Sequence, residues 1–186
     1  MEVALLGGSF NPPHVGHLLA MHYLRATQPV DEVWLLPSHR HPFGKPLAPF
    51  EHRLRMCQLL VQDASGWAKV SDAERDVPGE GRTADVLEHL RARYPEHAFT
   101  LVIGSDILRD LPKWKDVERI ERMARVLVLH RAGHPSPRAF GPPLAAVSST
   151  EIRERLARGD PPAELVPRAV LAYAREHGLY LHARSS

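Results

Sequence analysis

One feature limits the fold more than any other: short apolar runs, each long enough for one strand, alternate with stretches of helical period. The runs are residues 3–6 (VALL), 32–37 (EVWLLP), 99–103 (FTLVI) and 126–129 (VLVL), with a weaker one at 68–71. Helices are predicted over 15–26, 50–62 and 83–93, then over 150–158 and 167–177. Leu18, Leu19 and Tyr23 are the expected inner side of the first helix, and Leu54, Leu59 and Leu60 the apolar positions of the second. Gly159 and Gly178 stand where helix C-terminal glycines belong. Strands that alternate with helices need crossovers, and crossovers give a parallel sheet with helices on both faces. The expected fold is therefore α/β, a Rossmann-like doubly wound parallel sheet. No repeat or linker divides the chain, so residues 1–186 are expected to form one domain, with the helices from about residue 148 packed on it. Such a sheet takes its ligand beyond the C-terminal strand ends, at the switch in strand order. The Pro- and His-rich stretches 38–49 and 132–143 are expected as loops of the length that lids and binding loops have.

Composition removes several partner classes. The 24 basic and 22 acidic residues leave a net charge of +2, too little to argue for nucleic acid or a membrane surface. Cys57 is the one cysteine, so no internal disulfide can form, as suits a reducing compartment. No signal-peptide pattern or apolar span is visible, and a cytoplasmic location is expected.

Residues 7–17 read GGSFNPPHVGH. Gly7 and Gly8 close the first strand and admit a ligand close to the backbone. Pro12 and Pro13 stiffen the path. A helix that begins near His14 or Val15 turns its free N–H groups and positive dipole end toward this loop, which favours an anion. His14 and His17, three apart, then share a helix face. The spacing is neither G-x-G-x-x-G nor a P-loop. On these residues alone a plain strand-to-helix turn and a phosphate site both stay open. A zinc site ranks below them, because no Cys, Asp or Glu at metal spacing lies nearby, and no protein-held metal is expected.

Two further stretches bear on the question. In residues 147–153 (VSSTEIR) three hydroxyls precede a helix and one can cap it, while Arg153 lies about one turn in with a fork suited to phosphate oxygens. Asp106 follows the strand 99–103 through Gly104 and Ser105, where a carboxylate either accepts from ribose hydroxyls or caps the next helix. Trp114 suits stacking on a flat heterocycle as well as packing in a core.

Taken in order, these stretches resemble the nucleotidylyltransferase superfamily with the H-x-G-H signature, and within it the bacterial nicotinate-nucleotide adenylyltransferases. GGSFNPPHVGH is similar to the family's G-G-x-F-[ND]-P-x-H-x-G-H, TADVL at 83–87 to T-x-D-T-L, and IGSDILRDLPKW at 103–114 to I-G-x-D-x-L-x-x-L-x-x-W. VLVLHRAGH resembles the strand end that carries Arg131, and VSSTEIR with the last helix resembles the family's C-terminal segment. The resemblance implies transfer of AMP from ATP to nicotinate mononucleotide, giving deamido-NAD and pyrophosphate, with Mg²⁺ carried on the ATP phosphates. It implies that His14, His17 and Arg153 are catalytic. Gly8, Ser9, Phe10, Gly104, Asp106, Arg131, Ser149 and Thr150 join them in binding ATP, and Lys45, Thr83 and Trp114 face the second substrate. The departures are Arg82 where an aromatic is usual, Val86 for Thr, and HPFGK at 41–45 for P-P-H-[KR]. They bear on the second-substrate pocket more than on the ATP site. Alternative readings are an adenylyltransferase for nicotinamide mononucleotide or phosphopantetheine, and a nucleotide sensor that has lost its chemistry. A homo-oligomer stays open.

Overall fold

The computed structural model describes residues 1–39, 44, 46–77, 82–108, 111, 114 and 116–181. Six strands form one sheet: β1 (Glu2–Gly8), β2 (Glu32–Pro37), β3 (Ala68–Val70), β4 (Ala98–Gly104), β5 (Arg125–Arg131) and β6 (Ala139–Leu144). All the pairings are parallel, in the order β3-β2-β1-β4-β5-β6. The chain thus builds outward from β1 in one direction, returns, and builds outward in the other from β4. The switch lies between β1 and β4, as expected of a doubly wound sheet.

Both faces of the sheet are buried, so successive strand residues enter opposite cores. Ala4, Val33, Leu35, Val102 and Leu129 face one core; Val3, Leu5, Trp34, Leu36, Leu101, Ile103 and Val128 face the other. The first core is covered by α1 (Val15–Thr27), α2 (Phe50–Val61), α5 (Ser149–Ala157) and α6 (Arg168–Glu176), the second by α3 (Thr83–Arg93) and α4 (Val117–Met123). Ile152, Val166, Val170 and Ala174 share the first core with Ala4 and Leu35, so the C-terminal helices pack on the same sheet as α1 and α2. Ser148 caps α5, its Oγ accepting from the Thr150 N–H at 3.2 Å. Gly159 and Gly178 end the last two helices with φ of +76° and +60°, the left-handed stop that glycine adopts without strain.

The structure departs from expectation in four places. Leu19 is 51% exposed, and the inner side of α1 is Ala20, Met21 and Leu24, with Leu18 and Tyr23 only partly covered. In α2 the buried residues are Phe50, Arg53, Met56, Cys57, Leu60 and Val61, so Leu54 and Leu59 flank the stripe rather than form it. The stretch 132–143 is not all loop: β6 begins at Ala139 and runs through Pro142 and Pro143, which an edge strand tolerates because its outer N–H groups need no partner. The helix α4 is seven residues long with one buried residue, Ile120, too little pattern to see in advance. Among the described residues no helix is long and apolar enough to cross a membrane.

Candidate active site

The C-terminal ends of β1 and β4 flank the topological switch, and the predicted ATP-site residues gather around it. β1 stops at Gly8. Phe10 then takes φ +45°, unusual for a non-glycine residue, and buries its ring to 1% exposure against the face where Gly8 has no side chain. The chain passes through buried Asn11 and the prolines, and α1 begins with His14 as its N-cap.

The two histidines meet as the spacing predicts. Their rings stack with centroids 3.8 Å apart, and the His17 ring lies 4.7 Å from that of Phe10. The His14 N–H donates to His17 Nδ1 at 3.2 Å, which fixes the second imidazole by the backbone of the first. Gly16 suits this packing: a Cβ there would stand 3.1 Å from the His14 ring and 3.3 Å from Val147, close enough to press on both. The space that this glycine keeps open is thus filled by His14 itself.

Both imidazoles are neutral at physiological pH. Burial, reinforced by the positive charge of Arg131, lowers the His14 pKa from 6.5 to about 4. His17 is held well below its usual value by burial first, then by His14 and Arg131. The permanent charges belong to Arg131 and Arg153, and the imidazoles offer N–H groups. Among the described residues His14 Nδ1 is buried without a hydrogen-bond partner. The consequence for stability has a definite sign. Below pH 6.5 the unfolded chain binds protons that folded His14 refuses until about pH 4. Stability is therefore fully present above pH 6.5 and falls between the two values, by about 3 kcal/mol for His14 alone at about 1.4 kcal/mol per pH unit. Urea titrations between pH 7 and pH 4 are expected to show that loss, flattened in His14→Asn; an unchanged acid limb in the variant would refute the assignment.

The third wall comes from β4 and β5. The Arg131 backbone N–H donates to Ser105 Oγ at 2.9 Å, and that hydroxyl donates to the His134 carbonyl at 2.6 Å. The Arg131 guanidinium donates to the Val147 carbonyl at 3.1 Å and lies 3.7 Å from the Asp106 carboxylate. Asp106 Oδ1 is buried and has no hydrogen-bond partner among the described residues. It occupies the space above Gly104, where a Cβ would overlap it.

The C-terminal segment closes the loop from outside. Ser149 Oγ donates to the Pro12 carbonyl at 2.9 Å, and Arg153 Nη1 to the Asn11 carbonyl at 2.8 Å. Arg153 Nη2 reaches Thr150 Oγ1 at 3.3 Å. In this state these groups brace the loop of residues 9–12. Thr83 opens α3, and Trp114 packs against the core under α3 and α4, so both lie on the other face of the sheet from the histidines. Lys45 lies outside the described residues.

Two residues absent from the sequence-based set are central. Asn11 Oδ1 accepts from the Ala48 N–H and from the Tyr180 hydroxyl, each at 3.0 Å. Arg53, 1% exposed, binds three loop carbonyls. Arg53 had a legible signal: with Phe50, Cys57 and Leu60 it falls on one helical stripe, where a charge needs an explanation. Asn11 lies inside the quoted loop motif, but nothing in the sequence names its distant partners.

A nucleotide-sized anion can meet N–H donors and two guanidinium groups here, beside the Asp106 carboxylate that pairs with Arg131, at the switch point of a doubly wound sheet. That combination defines a nucleotidyltransferase site, and the chain belongs to the cytidylyltransferase-like family, whose model matches residues 5–155. A Myxococcus xanthus protein named "Probable nicotinate-nucleotide adenylyltransferase" is 61% identical over 180 residues, covering 97% of this chain and 95% of the relative. One of the same name from Thermus thermophilus is 38% identical over 186 residues, covering 97% of this chain and all of the relative, 100%. Within the family the chain groups with the nicotinate-nucleotide adenylyltransferases. Solved structures share the fold. The Plasmodium falciparum nicotinic acid mononucleotide adenylyltransferase complexed with NaAD superposes with a TM-score of 0.78 at 19% identity, over 96% of this chain and 97% of the other. The structure of the same Plasmodium falciparum enzyme complexed with APC gives 0.80 at 20% identity, over 96% of each chain.

Proposed function

We propose that the protein transfers AMP from ATP to nicotinate mononucleotide, forming deamido-NAD and releasing pyrophosphate, as a step of NAD biosynthesis in the cytoplasm. The observation that carries this reading is the stacked His14–His17 pair at the head of α1, within the field of Arg131 and beside the β1/β4 switch. The attacking group is the 5′-phosphate of the mononucleotide, already anionic at neutral pH, so no general base is needed. It attacks the α-phosphorus in line and pyrophosphate leaves.

The protein's task is to hold two anions together and to stabilise the charge that moves onto the leaving group. The imidazoles and the α1 N-terminus donate to the phosphates, Arg131 and Arg153 supply charge, and Asp106 accepts from the adenosine side. An arriving triphosphate raises both histidine pKa values, because an adjacent anion favours imidazolium. Ser149 exchanges its contact with the Pro12 carbonyl, and Thr150 its contact with Arg153, for phosphate oxygens. Gly8, Ser9 and Phe10 shape the floor. Thr83 and Trp114 line the pyridine pocket, with Lys45 assigned there by resemblance alone. Bound to the phosphates of ATP, Mg²⁺ would supply further neutralisation of their charge, beside Arg131, Arg153 and the imidazoles. Among the described residues no group of three or more His, Cys, Asp or Glu is arranged to hold a metal.

The test is pyrophosphate release with ATP and Mg²⁺ across nicotinate mononucleotide, nicotinamide mononucleotide and phosphopantetheine. The highest kcat/KM is expected for nicotinate mononucleotide. Turnover of phosphopantetheine alone, or of none of the three, would overturn the proposal.

A further inference from the structure

Arg53 is the largest fully buried side chain and, among the described residues, makes no ion pair. Its guanidinium instead spans two loops. Nε donates to the Ala48 carbonyl at 2.8 Å, Nη1 to the Ser9 carbonyl at 2.9 Å and Nη2 to the His39 carbonyl at 3.4 Å. Ser9 belongs to the loop between β1 and α1; His39 and Ala48 belong to the connection between β2 and α2. The same two loops are tied a second time, where the Ala48 N–H donates to Asn11 Oδ1.

A guanidinium is planar, and three acceptors on one fork are fixed relative to one another. A buried charge among neutral acceptors is tolerable only if its N–H groups are used, so the carbonyls cannot drift without cost. The Ser9 carbonyl is one residue from Phe10, which has a left-handed φ and packs against His17. Moving that carbonyl moves Phe10, and Phe10 forms one side of the His17 ring's seat. The positive charge also lies beneath a loop expected to receive phosphates.

We propose that Arg53 is a positioning residue for adenylyl transfer, holding the glycine loop against His39 and Ala48 so that His17 meets the triphosphate in register. This rests on the function proposed above, so wild-type protein is assayed alongside with ATP and nicotinate mononucleotide. An inactive wild type counts against that function, not against Arg53, and ATP affinity by calorimetry then gives an independent readout.

The informative variants are Arg53→Lys, which keeps the charge and loses the fork, and Arg53→Ala, assayed with and without millimolar guanidinium ion. With kcat expressed per folded molecule, Arg53→Lys is expected to fall at least ~10-fold, the scale of a small misplacement of a reacting group. Guanidinium is expected to restore most of the Arg53→Ala loss. A purely structural pin would reduce the folded fraction and leave kcat per folded molecule intact. Arg53→Lys within about twofold of wild type overturns the proposal, as does Arg53→Ala without rescue. Should Arg53→Ala fail to fold, Arg53→Lys decides alone; if both are unfolded even in the cold, the residue is a structural pin and the proposal falls.

Discussion

Replacing His17 by alanine is expected to lower kcat by at least about 10²-fold, the scale of removing one donor aimed at developing charge. The ring stacks on His14, touches Phe10 and accepts the His14 N–H at 3.2 Å. Alanine removes the imidazole proposed to donate to the leaving phosphates, frees one face of the His14 imidazole and leaves a helix-start N–H without its acceptor. The last of these costs roughly 1 kcal/mol of stability, the scale of a lost helix cap. His17→Asn separates the effects. Its side-chain oxygen can accept the His14 N–H, so the melting temperature should recover toward wild type while kcat stays low. Steady-state kinetics beside thermal melts check both. A His17→Ala enzyme with near-normal kcat would remove the histidine from the chemistry.

Gly104→Ala is the second large effect, expected in activity with little change in stability. The added methyl would overlap Asp106 Oδ1, and its next neighbour outside that carboxylate is the Arg131 side chain at 3.6 Å. The obstacle is the tip of a side chain, so the fold yields by turning Asp106 aside. The backbone at Gly104 has no left-handed φ, so alanine adds no conformational strain. A carboxylate displaced by about an ångström is expected to lower kcat/KM for ATP about 10²-fold, with the melting temperature within about 4 °C of wild type. Unchanged kcat/KM would show that Asp106 does not touch the nucleotide. A large fall in melting temperature would show that the loss is one of folding.

The fold was legible in the sequence because a parallel sheet buried on both faces needs short, continuous apolar strands, and residues 32–37 and 99–103 are of that kind. The histidine pair was legible because three residues along a helix bring two side chains to one face. What sequence could not show depends on contacts far along the chain. Tyr180 reaching Asn11, and Arg153 reaching the Asn11 carbonyl, are partners at separations of 169 and 142 residues. The charge state of the histidines was equally hidden, because burial and a neighbouring arginine decide it. β6 was missed because paired prolines are a loop signal anywhere except on a sheet edge.

Those prolines also limit how this protein can associate. The sheet has two outer strands. β3 is three residues long, with the lysine Lys69 at its middle; β6 carries Pro142 and Pro143, both exposed. A second chain adding its own strand to either margin would find too short a ladder on one side and missing donors on the other. Continuing the sheet from one copy of this molecule to the next is therefore disfavoured at both margins, which leaves helix and loop surfaces as the better ground for any assembly.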